Sequence, residues 1–170
     1  MNEGWGPERT KEVCWHDPHV LAEAAQRLSG SDFLAEMVAG RLPAPPIAAL
    51  LGMRLVSAGD GEAVFSCLPD ESVYNVIGMV HGGWLCTLLD SAAGCAVHTT
   101  LPAGVGYSSI EIKVSFLKAI RLGDGPIEVS GRVLRVGRQI GFAESLARAA
   151  NGDLVGQATT SVAIRRPPSA

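Results

Sequence analysis

A chain of 170 residues, 47% hydrophobic and 18% charged, has the length and apolar content for one domain with a sizeable core; its 20 glycines suggest close backbone approaches or an extensive subunit interface. This composition excludes a disordered chain. A formal net charge of -3 excludes any general electrostatic attraction to nucleic acid or to an anionic membrane, so a phosphate-bearing ligand must be met by locally placed cations.

Residues 1–18 carry Gly4, Gly6, Pro7 and Pro18 among charges and read as loosely held. They lack the apolar stretch of an export signal, and no run of ~18 apolar residues follows, so neither a membrane span nor a membrane partner is expected. Cysteines 14, 67, 86 and 95 show no C-x-x-C spacing and fit small reduced hydrophobes of a cytoplasmic protein. His16 and His19 have no carboxylate or thiol at convincing ligand spacing, so no metal is expected.

Residues 19–28 place Val20, Leu21, Ala24, Ala25 and Leu28 at helical spacing, and Ser29-Gly30-Ser31 interrupts the pattern. A second short helix is expected, with Ser31 or Asp32 as N-cap and Phe33, Leu34, Met37 and Val38 on one face, stopped by Gly40. Leu42-Pro43-Ala44-Pro45-Pro46 forms a stiff extended spacer, and residues 47–51 add another turn or two of helix. These amphipathic pieces read as a cap on the main domain.

Residues 54–68 read as a hairpin turning at Gly59-Asp60-Gly61, and 70–80 lead the chain to His81. From 82 to 97 nearly every residue is apolar or small on all sides, the mark of a buried helix. After a loop at 101–106, Ile110, Ile112, Val114 and Phe116 alternate with Glu111, Lys113 and Ser115, a strand with one wet face. Residues 127–136 alternate likewise, Gly137-Arg138 turns them into 140–149, and Asn151-Gly152-Asp153 leads into 154–164. A hairpin, one long helix and an antiparallel meander define an α+β domain whose sheet covers the helix on one side. The apolar stripe left over calls for a second copy of the chain.

Inside the apolar helix sits Asp90, with no Lys or Arg within a turn to pair with it. A buried carboxylate is costly unless paired, hydrogen-bonded or protonated, so Asp90 either has a distant partner or lines a cavity. At the helix start, His81-Gly82-Gly83 puts two residues without side chains where backbone N–H groups lack intrahelical partners, an arrangement that attracts anions and polarised oxygens. Asp90 lies eight residues beyond Gly82, roughly 12 Å along the axis at ~1.5 Å per residue. If both act on one bond, they must come from different subunits, which again predicts a two-fold dimer with two equivalent sites. His98 reads as a cap compatible with the helix dipole. Cys86 and Cys95 read as core residues, because no activating base stands at a recognisable spacing.

The pattern Asn75-x-x-Gly78-x-x-His81-Gly82-Gly83, with Asp90 nine residues after the histidine, resembles the hotdog-fold acyl-CoA thioesterases of the phenylacetate-degradation type. The likeness runs from about Leu51 to Ile164 and includes Gly106-Tyr107-Ser108-Ser109-Ile110-Glu111-Ile112-Lys113-Val114-Ser115-Phe116-Leu117. It implies a hotdog fold, an antiparallel sheet wrapped around one long buried central helix, over residues 47–166. Residues 1–46 would be an N-terminal helical extension and proline-rich spacer, packed as a cover or along an acyl-binding groove, and 167–170 a tail.

The resemblance implies that Asp90 is general base or nucleophile against the thioester carbonyl, and that the Gly82 backbone N–H polarises that carbonyl. His81 and Asn75 would hold the thioester and the attacking water from the opposite subunit, with Gly83 alongside. Ser109, or its neighbour Ser108, would position the water. No cofactor is implied; the partners the resemblance implies are an acyl-CoA substrate and further copies of the chain, as a homodimer and, from two such dimers, a homotetramer. Among basic residues at strand ends (Lys118, Arg121, Arg135, Arg138), Arg138 beside Gly137 is the best candidate for a CoA phosphate, with Lys118 next. The expected activity is hydrolysis of a small aryl-acyl or medium-chain acyl-CoA. The alternative is a non-catalytic acyl-CoA-binding or regulatory protein of the same fold.

Overall fold

The computed structural model describes residues 4–166. Three short helices come first: α1 (His19–Arg27), α2 (Gly30–Val38) and α3 (Pro46–Leu51). The hairpin β1 (Met53–Gly59) and β2 (Glu62–Cys67) follows, then the long helix α4 (Gly82–His98). The remaining strands are β3 (Gly106–Phe116), β4 (Ile127–Val136), β5 (Ile140–Arg148) and β6 (Leu154–Arg165). All six strands form one antiparallel sheet in the order β1-β2-β4-β5-β6-β3, wrapped around α4.

The local chemistry explains these elements. Asp60 and Gly61 both have positive φ, 52° and 82°, as a two-residue hairpin turn between right-twisted strands requires. The core face of α4 carries Leu88, Leu89, Ala92 and Ala96, all fully buried against Ala63, Val129 and Ala147 of the sheet. Small residues at 92, 93 and 96 let the backbones approach closely: a Cβ on Gly131 of β4 would lie 2.1 Å from the Ala92 carbonyl oxygen. Both ends of α4 are tied down. Trp84 Nε1 donates to the Leu51 carbonyl at 2.9 Å, and Thr99 Oγ1 accepts from Gly61 N–H at 2.9 Å.

Three expectations need correction. The cap of α2 is Ser29, not Ser31 or Asp32: its hydroxyl accepts from Asp32 N–H at 3.1 Å and donates to the Asp32 carboxylate at 2.6 Å. The helix therefore begins at Gly30, which has no side chain because a Cβ there would overlap the His98 carbonyl. The last four strands are not a simple meander. Only β4-β5-β6 run in sequence order, while β3 lies beyond β6 as the far edge. Finally, the alternation of β3 breaks at a β-bulge between Ser109 and Glu111, so Ile110 is 56% exposed while Ile112 and Val114 pack on the core.

The N-terminal helices are not detached from the sheet. Phe33 and Leu34 of α2 and Ala24 of α1 form a small cluster against Leu55 and Ala58 of β1, covering that edge. Ahead of α1, Arg9 pairs with Glu71, and Lys11 Nζ reaches the Asp70 carboxylate at 2.7 Å. These pairs strap residues 9–11 onto the short 3₁₀ turn Glu71–Val73 that precedes α4. No helix among the described residues is long and apolar enough to cross a membrane.

Candidate active site

Helix α4 is not apolar all round. Cys86, Thr87, Asp90, Ser91, Cys95 and His98 form a half-buried stripe down the side that the sheet leaves uncovered. Thr87 and Ser91 return their hydroxyls to carbonyls one turn back, at 3.1 and 2.7 Å, which makes polar groups tolerable there. Asp90 is therefore partly accessible rather than sealed in the core.

Its partner comes from β3. Ser109 Oγ donates to Asp90 Oδ1 at 2.8 Å. The bulge produces this contact: strict alternation back from Ile112 would turn Ser108 inward, and the extra residue turns Ser109 inward instead. Ser108 Oγ instead accepts from Arg165 Nε at 3.2 Å.

The other expected residues gather at the opposite end of the helix. His81 is the N-cap, its Nδ1 accepting from Gly83 N–H at 2.8 Å. Gly82 lies under the Phe116 ring, 3.1 Å from where its Cβ would be. A cleft of about 280 Å³ opens there between Gly82, Leu85, Phe116 and Lys118. Asn75 Oδ1 accepts from Ile77 and Met79 N–H at 3.0 and 3.1 Å, shaping the loop that leads into the helix and leaving its amide donor outside that turn. Within one protomer the structure brings Asp90 to Ser109, and His81 to Gly82 and Gly83, but leaves these two groups at different levels of α4.

Lys118 is ion-paired with Asp153. Arg138 lies exposed on the β4–β5 turn and with Arg135 and Phe142 borders a surface hollow of about 520 Å³.

Below Asp90 lies a cavity of about 280 Å³ between α4 and the N-terminal helices. Sequence reasoning missed Tyr107, Cys95 and His98 as its polar lining. One signal was present: Gly94, a glycine in a helix interior that costs about 1 kcal/mol relative to alanine. It makes room for Tyr107, whose hydroxyl would be 2.7 Å from a Cβ at that position. Burial raises the Tyr107 phenol well above its usual value and pushes the Cys95 thiol up to about 12. His98 is the last residue of α4, with Thr99 as the C-cap after it, and burial lowers its imidazole, which favours the neutral ring. The ring packs between Phe33 and Tyr107, with centroids 5.4 and 5.6 Å away.

Residues 77–155 match the family model described as the thioesterase superfamily. The matched span takes in His81, Gly82, Asp90 and Ser109 and leaves out Asn75. A Halobacterium salinarum protein named as a candidate esterase is 36% identical over 99 residues, covering 55% of this chain and 64% of that protein, just short of two thirds of its length. Human acyl-coenzyme A thioesterase 13 is 29% identical over 126 residues, covering 73% of this chain and 89% of that protein. A solved structure from Ralstonia eutropha, described as a candidate thioesterase and phenylacetic acid degradation-related protein, superposes with a TM-score of 0.69 at 27% identity, covering 76% of this chain and 98% of that one.

Proposed function

We propose that this chain, whose residues 77–155 match the thioesterase superfamily model and whose fold is shared with a candidate thioesterase 27% identical to it, hydrolyses acyl-CoA thioesters at two equivalent sites, each shared between the protomers of a dimer. The observation that carries this reading is the Ser109–Asp90 hydrogen bond, a carboxylate oriented by a hydroxyl at the mouth of a mainly apolar cavity.

The chemistry needs few parts. Asp90 takes a proton from water as the water oxygen bonds to the thioester carbon, or attacks that carbon itself to form an acyl anhydride that water then hydrolyses, releasing the acid, restoring the carboxylate and supplying the proton. Ser109 holds the carboxylate and the water in place. The developing oxyanion accepts from Gly82 N–H of the partner subunit, at a helix end whose dipole favours negative charge. When the carbon–sulfur bond breaks, CoA leaves as a thiolate and takes up the proton. His81 shapes that helix end through Gly83, and Asn75 offers its amide donor from the loop beside it.

The need for a partner follows from α4 itself, because Gly82 and Asp90 lie roughly 12 Å apart along one helix. Exposed Val76, Ile77, Phe116 and Leu117 around the Gly82 end supply apolar surface for the second copy. Leu134, Ile140 and Phe142 on the outer face of the sheet offer a further surface for pairing dimers into a tetramer. Four free cysteines suit the reducing cytoplasm.

The test is CoA release from phenylacetyl-, benzoyl-, hexanoyl- and palmitoyl-CoA by wild type and Asp90→Asn. Turnover that falls at least ~100-fold in the variant with KM little changed supports the reading. Ligand binding by the wild type without CoA release would make the chain a binding protein instead. Arg138→Ala is expected to raise KM for CoA esters with kcat little changed, and an unchanged KM removes Arg138 from phosphate binding.

A further inference from the structure

The cavity beneath Asp90 has two unlike walls. Leu21, Phe33, Met37, Ile47, Leu55 and Phe65, from α1–α3 and the first hairpin, make one wall wholly apolar. The other wall, from α4 and β3, carries Ser91, Cys95, Tyr107 and His98. Asp90 and His98 are eight residues apart on the helix, so the cavity extends roughly 12 Å along α4 at ~1.5 Å per residue. That length suits a medium-chain acyl group and is too short for a palmitoyl chain.

His98 gives the far end its character. A neutral imidazole offers one donor and one acceptor, while among the described residues the ring of His98 meets the aromatic faces of Phe33 and Tyr107 rather than a hydrogen-bonding group. A purely saturated chain filling the cavity would part both nitrogens from solvent without replacing its hydrogen bonds, whereas a hydroxyl or similar group at the chain end would satisfy one of them. Phe33 of α2 lies against the same ring and closes the space behind it.

We propose that this cavity is the acyl pocket, that the N-terminal helices set its length through Phe33 and Met37, and that His98 selects acyl groups with a hydrogen-bonding group at the end remote from the thioester. The proposal rests on the hydrolase reading above. It makes the N-terminal extension part of the specificity machinery.

The experiment measures kcat/KM for octanoyl-, ω-hydroxyoctanoyl- and palmitoyl-CoA with wild type, His98→Leu, His98→Gln, Phe33→Ala and Met37→Ala. The wild type should favour the ω-hydroxy ester over octanoyl-CoA by at least ~10-fold and turn over palmitoyl-CoA worst. His98→Leu should erase the hydroxyl preference, bringing the ratio of ω-hydroxyoctanoyl to octanoyl turnover to about one, and His98→Gln should retain it. Phe33→Ala should raise palmitoyl relative to octanoyl turnover by at least ~10-fold. Met37→Ala, at a half-buried position, gives the same reading if loss of the Phe33 ring unfolds α2. A hydroxyl preference that is absent in the wild type or survives His98→Leu, or palmitoyl turnover unmoved in both cavity variants, overturns the pocket assignment and leaves the hydrolase standing. No CoA release from any ester overturns the hydrolase reading and this one with it.

Discussion

The two halves of α4 are finished differently. From Ser91 to His98 the helix is enclosed by its own chain, with the sheet on one side and α1–α3 over the stripe that the sheet leaves open. From Gly82 to Asp90 that stripe is left uncovered, and Val76, Ile77 and Phe116 stand exposed around the Gly82 end. The enclosed half is suited to holding a ligand tail, and the open half to receiving a second subunit. On the proposed reading, one helix would separate recognition from the place where a bond can be broken.

Charging the open half gives the largest effect. Phe116→Asp places a carboxylate on the apolar surface beside Gly82; sedimentation should report a monomer, and CoA release should fall on the order of 100-fold, as expected when an oxyanion donor is lost. A monomer with full activity would show that one protomer suffices.

Crowding the enclosed half damages stability instead. Gly131→Ala drives a methyl into the Ala92 carbonyl, which should cost about 3 kcal/mol, the upper part of the overpacking range. At ~2–4 °C per kcal/mol the melting temperature should drop roughly 6–12 °C. Gly82→Ala meets only the edge of an exposed ring, so its melting temperature should stay near wild type while turnover falls. Equal destabilisation by the two changes would erase the distinction between the halves.

The smallest effect is chemical. Cys86 lies on the open half and Cys95 on the enclosed half, where burial pushes its thiol up to about 12. At pH 8 burial therefore keeps the Cys95 thiol protonated. In the Phe116→Asp monomer, iodoacetamide should modify Cys86 well before Cys95, read by mass spectrometry of peptides, and prompt labelling of Cys95 in folded protein would show that the enclosure opens.

Periodicity carried much of the fold, because period-two alternation and an all-apolar helix each have few ways to pack. Asp90 stood out for the same reason, as a lone carboxylate in a run of small and apolar residues. What alternation cannot reveal is an inserted residue. Ser108 and Ser109 were interchangeable candidates on paper because the bulge at Ile110 decides which faces inward, and its pairing partner on β6 lies about fifty residues away. The cavity was hidden for a related reason. Its apolar wall comes from segments between Leu21 and Phe65, and its polar wall from α4 and β3, so no local pattern contains both. His98 looked like a helix-end charge because its neighbours in space, Phe33 and Tyr107, are distant in sequence.

The strap of residues 9–11 has a consequence for how the protein should respond to solution conditions. Lys11 and the Ser72 hydroxyl hold the Asp70 carboxyl down at about 2, so its charge persists above that and the attachment fades only as strong acid is approached. Salt acts sooner. Both ion pairs are exposed, and at physiological ionic strength charges are screened over about 8 Å. Ionic strength should thus loosen the segment ahead of Asn75 while leaving the Ser109–Asp90 pair, held by the sheet and helix, where it is. Salt becomes a means of adjusting one side of the site without touching the other.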